Sequence, residues 1–152
     1  MMKIEEQIKQ PKFRNSLQKA VVNLLYTANW LQYKQQDFFK SHGITGQQFN
    51  ILRILKGQHP KSISASEIKS RMLDMNSDVS RLLDRLEVKG LISKKACSVD
   101  KRATDVNITD AGLDVLKEID KNQMEMDQLL NLTEEEADHL SDLLDKCRNI
   151  AG

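Results

Sequence analysis

The chain of 152 residues has only two cysteines, two prolines and three histidines, and 5% of its residues are aromatic. Cys97 and Cys147 stand far apart, in no spacing typical of a metal site, and in a chain without an export signal they are expected to be free thiols. His42, His59 and His139 are scattered and read as surface residues near helix ends, so neither a metal centre nor a nucleophile–base pair is visible, and an enzyme is not expected. No apolar run reaches the roughly 18 residues of a membrane-spanning helix. The opening residues, MMKIEEQIKQPKF, lack the apolar stretch of a secretory signal. The expectation is a cytoplasmic protein with no membrane partner, of a length that suits one domain. Pro11 and Pro60 fall outside every helical pattern, so nothing breaks the helices from within.

What is present is charge, unevenly placed. Residues 1–60 hold nine Lys or Arg and three Asp or Glu, a net of +6, and residues 61–102 hold ten and six, a net of +4. Residues 103–108 carry a net of −1, and residues 109–152 hold four and twelve, a net of −8. A basic front behind an overall charge of +1 suits a protein that presents one face to a polyanion, although ordinary solvated helix faces give the same count.

Helical spacing dominates the pattern. Apolar residues step by three and four from Phe13 through Leu17, Val21, Leu24, Leu25, Ala28 and Leu31 to Phe38, predicting a helix over residues 13–40 that ends at Gly43. That helix is long for a small domain, so part of it is expected to pack on a second chain. Capping boxes mark later starts: Thr45 with Gln48, Ser64 with Glu67, and Thr133 with Glu136. Thr109 caps another helix, where Gly112 leaves the box incomplete. The predicted helices run over residues 47–56, 65–72, 77–89 (with Asn76 or Asp74 as cap), 110–130 and 134–149. Between Gly90 and Thr109 the period changes to two, predicting a hairpin over residues 91–108 with a charged tip, Asp100-Lys101-Arg102.

Two short helices joined by a short turn form a helix-turn-helix layout, whose second helix enters the major groove of DNA. The second helix has Val79, Leu82, Leu83 and Leu86 on one face. Ser77, Asp78, Ser80, Arg81, Asp84 and Arg85 lie opposite, small where base edges approach and cationic further along. The basic hairpin follows at once, with Lys94, Lys95, Lys101 and Arg102 on or near it, within reach of an adjacent minor groove. Arg85, Lys89, Lys94 and Lys95 read as phosphate contacts.

The run SRLLDRLEVKGLISKKACSVDKRATDVNITDAG, residues 80–112, resembles the MarR family of bacterial transcriptional regulators. Members read S-R-hydrophobic-hydrophobic-D-R-L-E-x-K-G-L-I, then a wing with D-x-R, then hydrophobic-T-x-x-G. The likeness covers residues 44–116 in motif detail; the flanking helices agree in order and length only. It implies a mainly α fold with a small β-hairpin wing, a winged helix-turn-helix that dimerises through interlocked terminal helices. Residues 44–109 would form the DNA-binding lobe, and residues 1–43 and 110–152 the dimerisation region. The implied partners are a pseudo-palindromic operator in double-stranded DNA, a second copy of the chain, and a small aromatic or lipophilic ligand; no cofactor is implied. By the same likeness Asn76, Ser77, Asp78, Ser80, Arg81 and Arg85 belong to the recognition helix, and Lys94, Lys95, Asp100, Lys101 and Arg102 to the wing. Arg102 would enter the minor groove, with Asp100 bracing it or an arginine of the recognition helix. Met75-Asn76 stands where the family more usually has a small or proline-containing start. Asp78 either accepts from a cytosine amino group or serves the positive end of its helix.

Trp30, Tyr33 and Phe49 are the residues expected to line a ligand pocket, though aromatic residues at helical spacing also serve core and dimer packing. Cys97, among Lys94, Lys95 and Lys101, sits where positive charge favours a thiolate, so a redox-responsive regulator is an alternative. A winged-helix interaction module without DNA binding is a further one.

Overall fold

The computed structural model describes residues 1–97, 99–100 and 103–149, and the chain divides into two compact units, Met1–Asp120 and Lys121–Gly152. In the first unit the order is α1 (Ile4–Gln7), α2 (Ser16–Ser41), α3 (Gly46–Gln58), β1 (Ile63–Ser64), α4 (Ala65–Arg71), α5 (Val79–Val88), β2 (Ile92–Ala96), β3 (Thr104–Ile108) and α6 (Asp110–Lys121), whose last residue crosses into the second unit. The second continues with α7 (Gln123–Asp127), a 3-10 turn (Gln128–Leu130) and α8 (Glu134–Arg148). No described helix is long and apolar enough to cross a membrane.

The expected hairpin is present and carries a third strand. The antiparallel order is β1–β3–β2, with Ile63 opposite Val106 and Lys94 also opposite Val106. The core gathers Ile51, Leu52 and Leu55 of α3, Ile68 of α4, Leu86 of α5, Val106 of β3 and Leu116 of α6, all essentially inaccessible. Each element contributes its apolar stripe, as the spacing of these residues requires.

Thr45 Oγ1 accepts from Gln48 N at 3.1 Å while Gln48 Oε1 accepts from Thr45 N at 3.0 Å, a complete capping box. Ser64 Oγ accepts from Glu67 N at 3.2 Å, but the Glu67 carboxylate turns to Arg71, 3.5 Å away. The Thr109 helix explains its own incomplete box. Thr109 Oγ1 accepts from Gly112 N at 3.2 Å and donates to Gly90 O at 2.7 Å. A Cβ on Gly112 would meet the Leu91 carbonyl oxygen at 2.3 Å. The T-x-x-G spacing is therefore a close approach of α6 to the residues that lead into β2. Gly43 and Gly90 end α2 and α5 with φ of +74°, the left-handed conformation glycine adopts without strain.

Two expectations need correction. The helix predicted over residues 110–130 breaks after Lys121. Buried Leu116 and Ile119 are followed at the next turn by Asn122 and Gln123; the apolar ladder lapses, and asparagine favours a helix boundary over a helix interior. The helix expected over residues 77–89 is α5, which starts at Val79 rather than Ser77, and its cap is Asp78, not Asn76 or Asp74.

α2 buries only Phe39, while Leu17, Val21, Leu24, Leu25 and Tyr33 remain exposed in the chain. Glu5 of α1 pairs with Lys19, and Tyr26 Oη donates to Gln7 Oε1 at 3.0 Å, so the N-terminal turn lies on α2. In the second unit, Thr133 and Glu136 form both bonds of a capping box at 2.9 and 3.2 Å, and Leu140 and Leu143 of α8 are exposed.

Candidate nucleic-acid interface

The turn that leads into α5 is held from α3. Asn50 Oδ1 of α3 accepts from Leu73 N at 2.9 Å. Gln47 Nε2 lies 3.4 Å from both Asp74 Oδ2 and Ser77 Oγ. Asp74 then organises the turn: Oδ1 accepts from Asn76 N at 2.9 Å, and its carbonyl accepts from Ser77 Oγ at 2.8 Å and Ser77 N at 3.2 Å. Asp78 Oδ1 accepts from Arg81 N at 3.2 Å, giving one of the unpaired amides of the first turn of α5 a partner.

This geometry sorts the residues expected to meet DNA. Asn76, Asp78, Ser80, Arg81 and Arg85 are all exposed along the outer side of the turn and α5. Ser77 is 4% exposed, and its hydroxyl points inward to Asp74. Asp78 serves the start of its own helix, which is one of its two expected roles. Lys94 is half-buried: Nζ pairs with Asp84 and lies 3.7 Å from Glu87 Oε1, while its backbone N donates to Glu87 Oε2 at 3.2 Å. The hydrogen bond to Asp84 is the main cause that raises the Lys94 pKa above 10.5, so its charge stays engaged at neutral pH. Lys89, at the C-cap of α5, donates to Gly43 O and lies 3.4 Å from Gln48 Oε1, so it joins the end of α5 to the α2–α3 junction. Lys95 and Arg85 are exposed.

Asp100 lies at the hairpin tip, exposed, its carbonyl accepting from Ala103 N at 3.0 Å. Lys101 and Arg102 lie outside the described residues. Cys97 is half-buried and its backbone N donates to Ala103 O at 3.0 Å. Among the described residues no group of three His, Cys, Asp or Glu is placed to hold a metal ion.

The aromatic residues expected in a pocket are not gathered into one. Phe49 stacks on Phe39 at 4.6 Å and lies under the Arg53 guanidinium at 5.3 Å. Trp30 and Tyr33, both exposed on α2, line neither groove of the first unit. An open groove of about 640 Å³ instead lies where α2 ends, α3 begins and α5 passes, lined by Lys40, Ile44, Gln48, Arg85, Val88 and Lys89 among others. A smaller one of about 420 Å³ opens between the starts of α4 and α5, beside Ser66, Lys69, Asn76 and Ser80.

The sequence reading missed Gln47 and Asn50, the two residues of α3 that hold the turn. Their i, i+3 spacing puts them on one face, a usable signal. It also missed the exposed Leu73 and Met75 of that turn, whose signal was apolar side chains between two polar helix boundaries.

The sequence profile of the MarR family matches residues 44–104, from the start of α3 into β3. The HTH-type transcriptional regulator MhqR of Bacillus subtilis is 30% identical over 107 residues, which cover 68% of this chain and 71% of that protein. The chain spans about two thirds of the length of the curated relatives it matches. Among solved structures, a MarR transcription factor from Planctomyces limnophilus is 29% identical with a TM-score of 0.68, covering 88% of this chain and 98% of that one. The MepR–DNA complex of S. aureus, 23% identical with a TM-score of 0.74, covers 90% of this chain and 97% of that one, a likeness of fold. With its profile match, its relatives and its hydrophobic-T-x-x-G junction in agreement, the chain belongs to the MarR family of transcriptional regulators.

Proposed function

We propose that this protein is a sequence-specific DNA-binding transcriptional regulator that acts as a homodimer. The observation that carries the reading is α5, a helix with four buried apolar residues and an outer row of Ser80, Arg81 and Arg85, preceded by exposed Asn76 in a turn held by α3 and followed at once by a basic hairpin. The MepR–DNA complex shares this fold. In this reading α5 occupies the major groove, Lys95 and Arg85 contact phosphates, and Arg102 of the wing reaches the minor groove with Asp100 beside it. The uncovered apolar face of α2 is where the second copy packs. Residues 44–109 then form one DNA-binding lobe of a pair, set about one helical turn, roughly 34 Å, apart on a pseudo-palindrome.

We further propose that the protein is a repressor whose DNA affinity falls when a small ligand binds. The groove at the α2–α3–α5 junction supports this, because Lys89 joins the recognition helix there to the end of α2. A ligand that prefers one spacing of the lobes shifts the population toward it and away from the operator. Its chemistry is an aromatic or lipophilic body over Ile44 and Val88, with an anionic group near Lys40.

The test is binding to the protein's own promoter region across a salt series. A steep loss with salt and a preference over random duplex are expected. Arg102→Ala is expected to cost about 1–3 kcal/mol of operator binding. No preference at any salt concentration would leave a winged-helix interaction module instead, and a stable monomer in sedimentation would remove the dimeric architecture.

A further inference from the structure

We propose that Met75, carried on the turn that leads into α5, reads a thymine methyl group in the major groove. The inference rests on the DNA-binding reading above and adds an apolar contact that the polar face of α5 does not supply.

Leu73 is 90% exposed and Met75 85% exposed, in the turn between the two helices of the helix-turn-helix. That turn is not loose. Asn50 holds Leu73 N, Asp74 holds Asn76 N and both polar groups of Ser77, and Gln47 reaches Asp74 and Ser77 from α3. Its polar groups are thus used inward while two large apolar side chains are held in water, forgoing the transfer free energy that burial returns. A rigid mount for exposed apolar groups is useful when something covers them.

The residues around the turn say what the cover is. Lys69 and Arg71 end α4 and Arg81 lies in the first turn of α5, all exposed, with Arg71 drawn to Glu67, while the carboxylates of Asp74 and Asp78 are bonded to Gln47 and to the amides of Asn76 and Arg81. In the DNA-binding reading this turn leads α5 into the major groove, and the C5-methyl of thymine is the one apolar group on the major-groove edge of the bases. The start of α5 also leaves this place open, because Ser77 is buried and Asp78 is bonded to Arg81 N. Met75 is long, unbranched and polarizable, which lets it follow a methyl group across small differences of groove geometry.

A duplex selected by the wild-type protein from a randomised library provides the probe. Each thymine of one half-site is replaced in turn by deoxyuridine, which removes the methyl and changes nothing else on the groove edge. Affinity is read by fluorescence anisotropy for wild type, Met75→Ala and Met75→Leu. At one thymine, loss of the methyl is expected to weaken wild-type binding about fourfold, the fold-change for one buried carbon. Met75→Ala is expected to bind the thymine and uracil duplexes equally, and Met75→Leu to keep most of the difference. Both variants melt like wild type, since the side chain is exposed. A uracil penalty unchanged in Met75→Ala, or no penalty at any position, overturns the assignment. So does a Met75→Ala variant whose altered sedimentation marks the patch as a protein contact. Failure of the library to yield any preferred sequence is a separate outcome: it removes the DNA-binding reading itself, and Met75 with it.

Discussion

Gly112→Ala sets two effects of similar size against each other at one atom. In the first turn of α6 alanine is favoured over glycine by about 1 kcal/mol, through helix propensity and a less flexible unfolded chain. Against this, the added Cβ would lie 2.3 Å from the Leu91 carbonyl oxygen and 2.7 Å from Ile108 Cγ1, where real Cβ contacts essentially never fall below 3.0 Å. Ile108 can rotate only within a packed site, and the Leu91 oxygen is backbone. The separation must therefore come from moving α6 away from the residues that lead into β2. That oxygen accepts from Thr109 N at 3.1 Å, and Thr109 Oγ1 joins Gly112 N to Gly90 O at 3.2 and 2.7 Å. Overpacking costs about 1–3 kcal/mol, and each hydrogen bond stretched past use costs about 1 kcal/mol.

The steric side wins, with a net loss of about 2–3 kcal/mol after the propensity gain is subtracted. Urea unfolding at fixed protein concentration should show a lower midpoint with an unchanged slope. Gly57→Ala is the companion variant. It lies near the end of α3 with nothing within 4 Å of the place its methyl group would take, so it should gain up to about 1 kcal/mol. A Gly112→Ala protein as stable as wild type, or more stable, would refute the claim that this glycine marks a close approach rather than a tolerated gap in the helix.

Lys94 and Lys95 are adjacent and should differ in DNA binding. Lys94 is paired with Asp84 and Glu87, so Lys94→Met should leave the salt dependence of DNA affinity unchanged, while Lys95→Met should reduce the slope of log K against log salt by about 1. The hydrogen bond to Asp84 raises the Lys94 pKa above 10.5. The pair's contribution is therefore fully present below that pH and is lost only as pH rises through the raised value, outside the range of the assay. Glu5 has the opposite sign: chiefly the hydrogen bond from Lys19 holds its pKa below 4.5. Docking of α1 on α2 should be intact above that pH and weaken as pH falls through the lowered value. NMR titration of the α1 amides should show a midpoint below 4.5 that Lys19→Met moves upward.

The parts of this fold that were legible in the sequence are those whose cause is local. The cap of α3 rests on Thr45 and Gln48 alone, and the hairpin on a change of period between Gly90 and Thr109; neither needs a distant partner. The core stripe of α5 was legible for the same reason. β1 was not, because two residues carry no period and Ile63 becomes a strand only by facing Val106. The break at Asn122 was legible in principle, since the gap in the apolar ladder is there in the sequence, but the overall helical spacing outweighed it.

Within the candidate site the limit is sharper. Sequence shows that Ser77 is small and polar, which fits a base contact and an internal anchor equally; Gln47, thirty positions away, and Asp74 decide for the anchor. Sequence likewise shows that Lys94 and Lys95 are both cationic, and only the fold pairs one of them with Asp84. Phe49 was expected in a pocket on the strength of its ring, and within the chain that ring stacks on Phe39. In each case residue type sets what a side chain is able to do, and a partner remote in the chain selects among the options. This is why α5 was found from the sequence while the residues around it that serve as its scaffold were not. The same scaffold has a consequence for Met75. It sits in a turn where Asp74 and Ser77 serve the scaffold, and its own side chain, left in water among the described residues, is available to a partner outside.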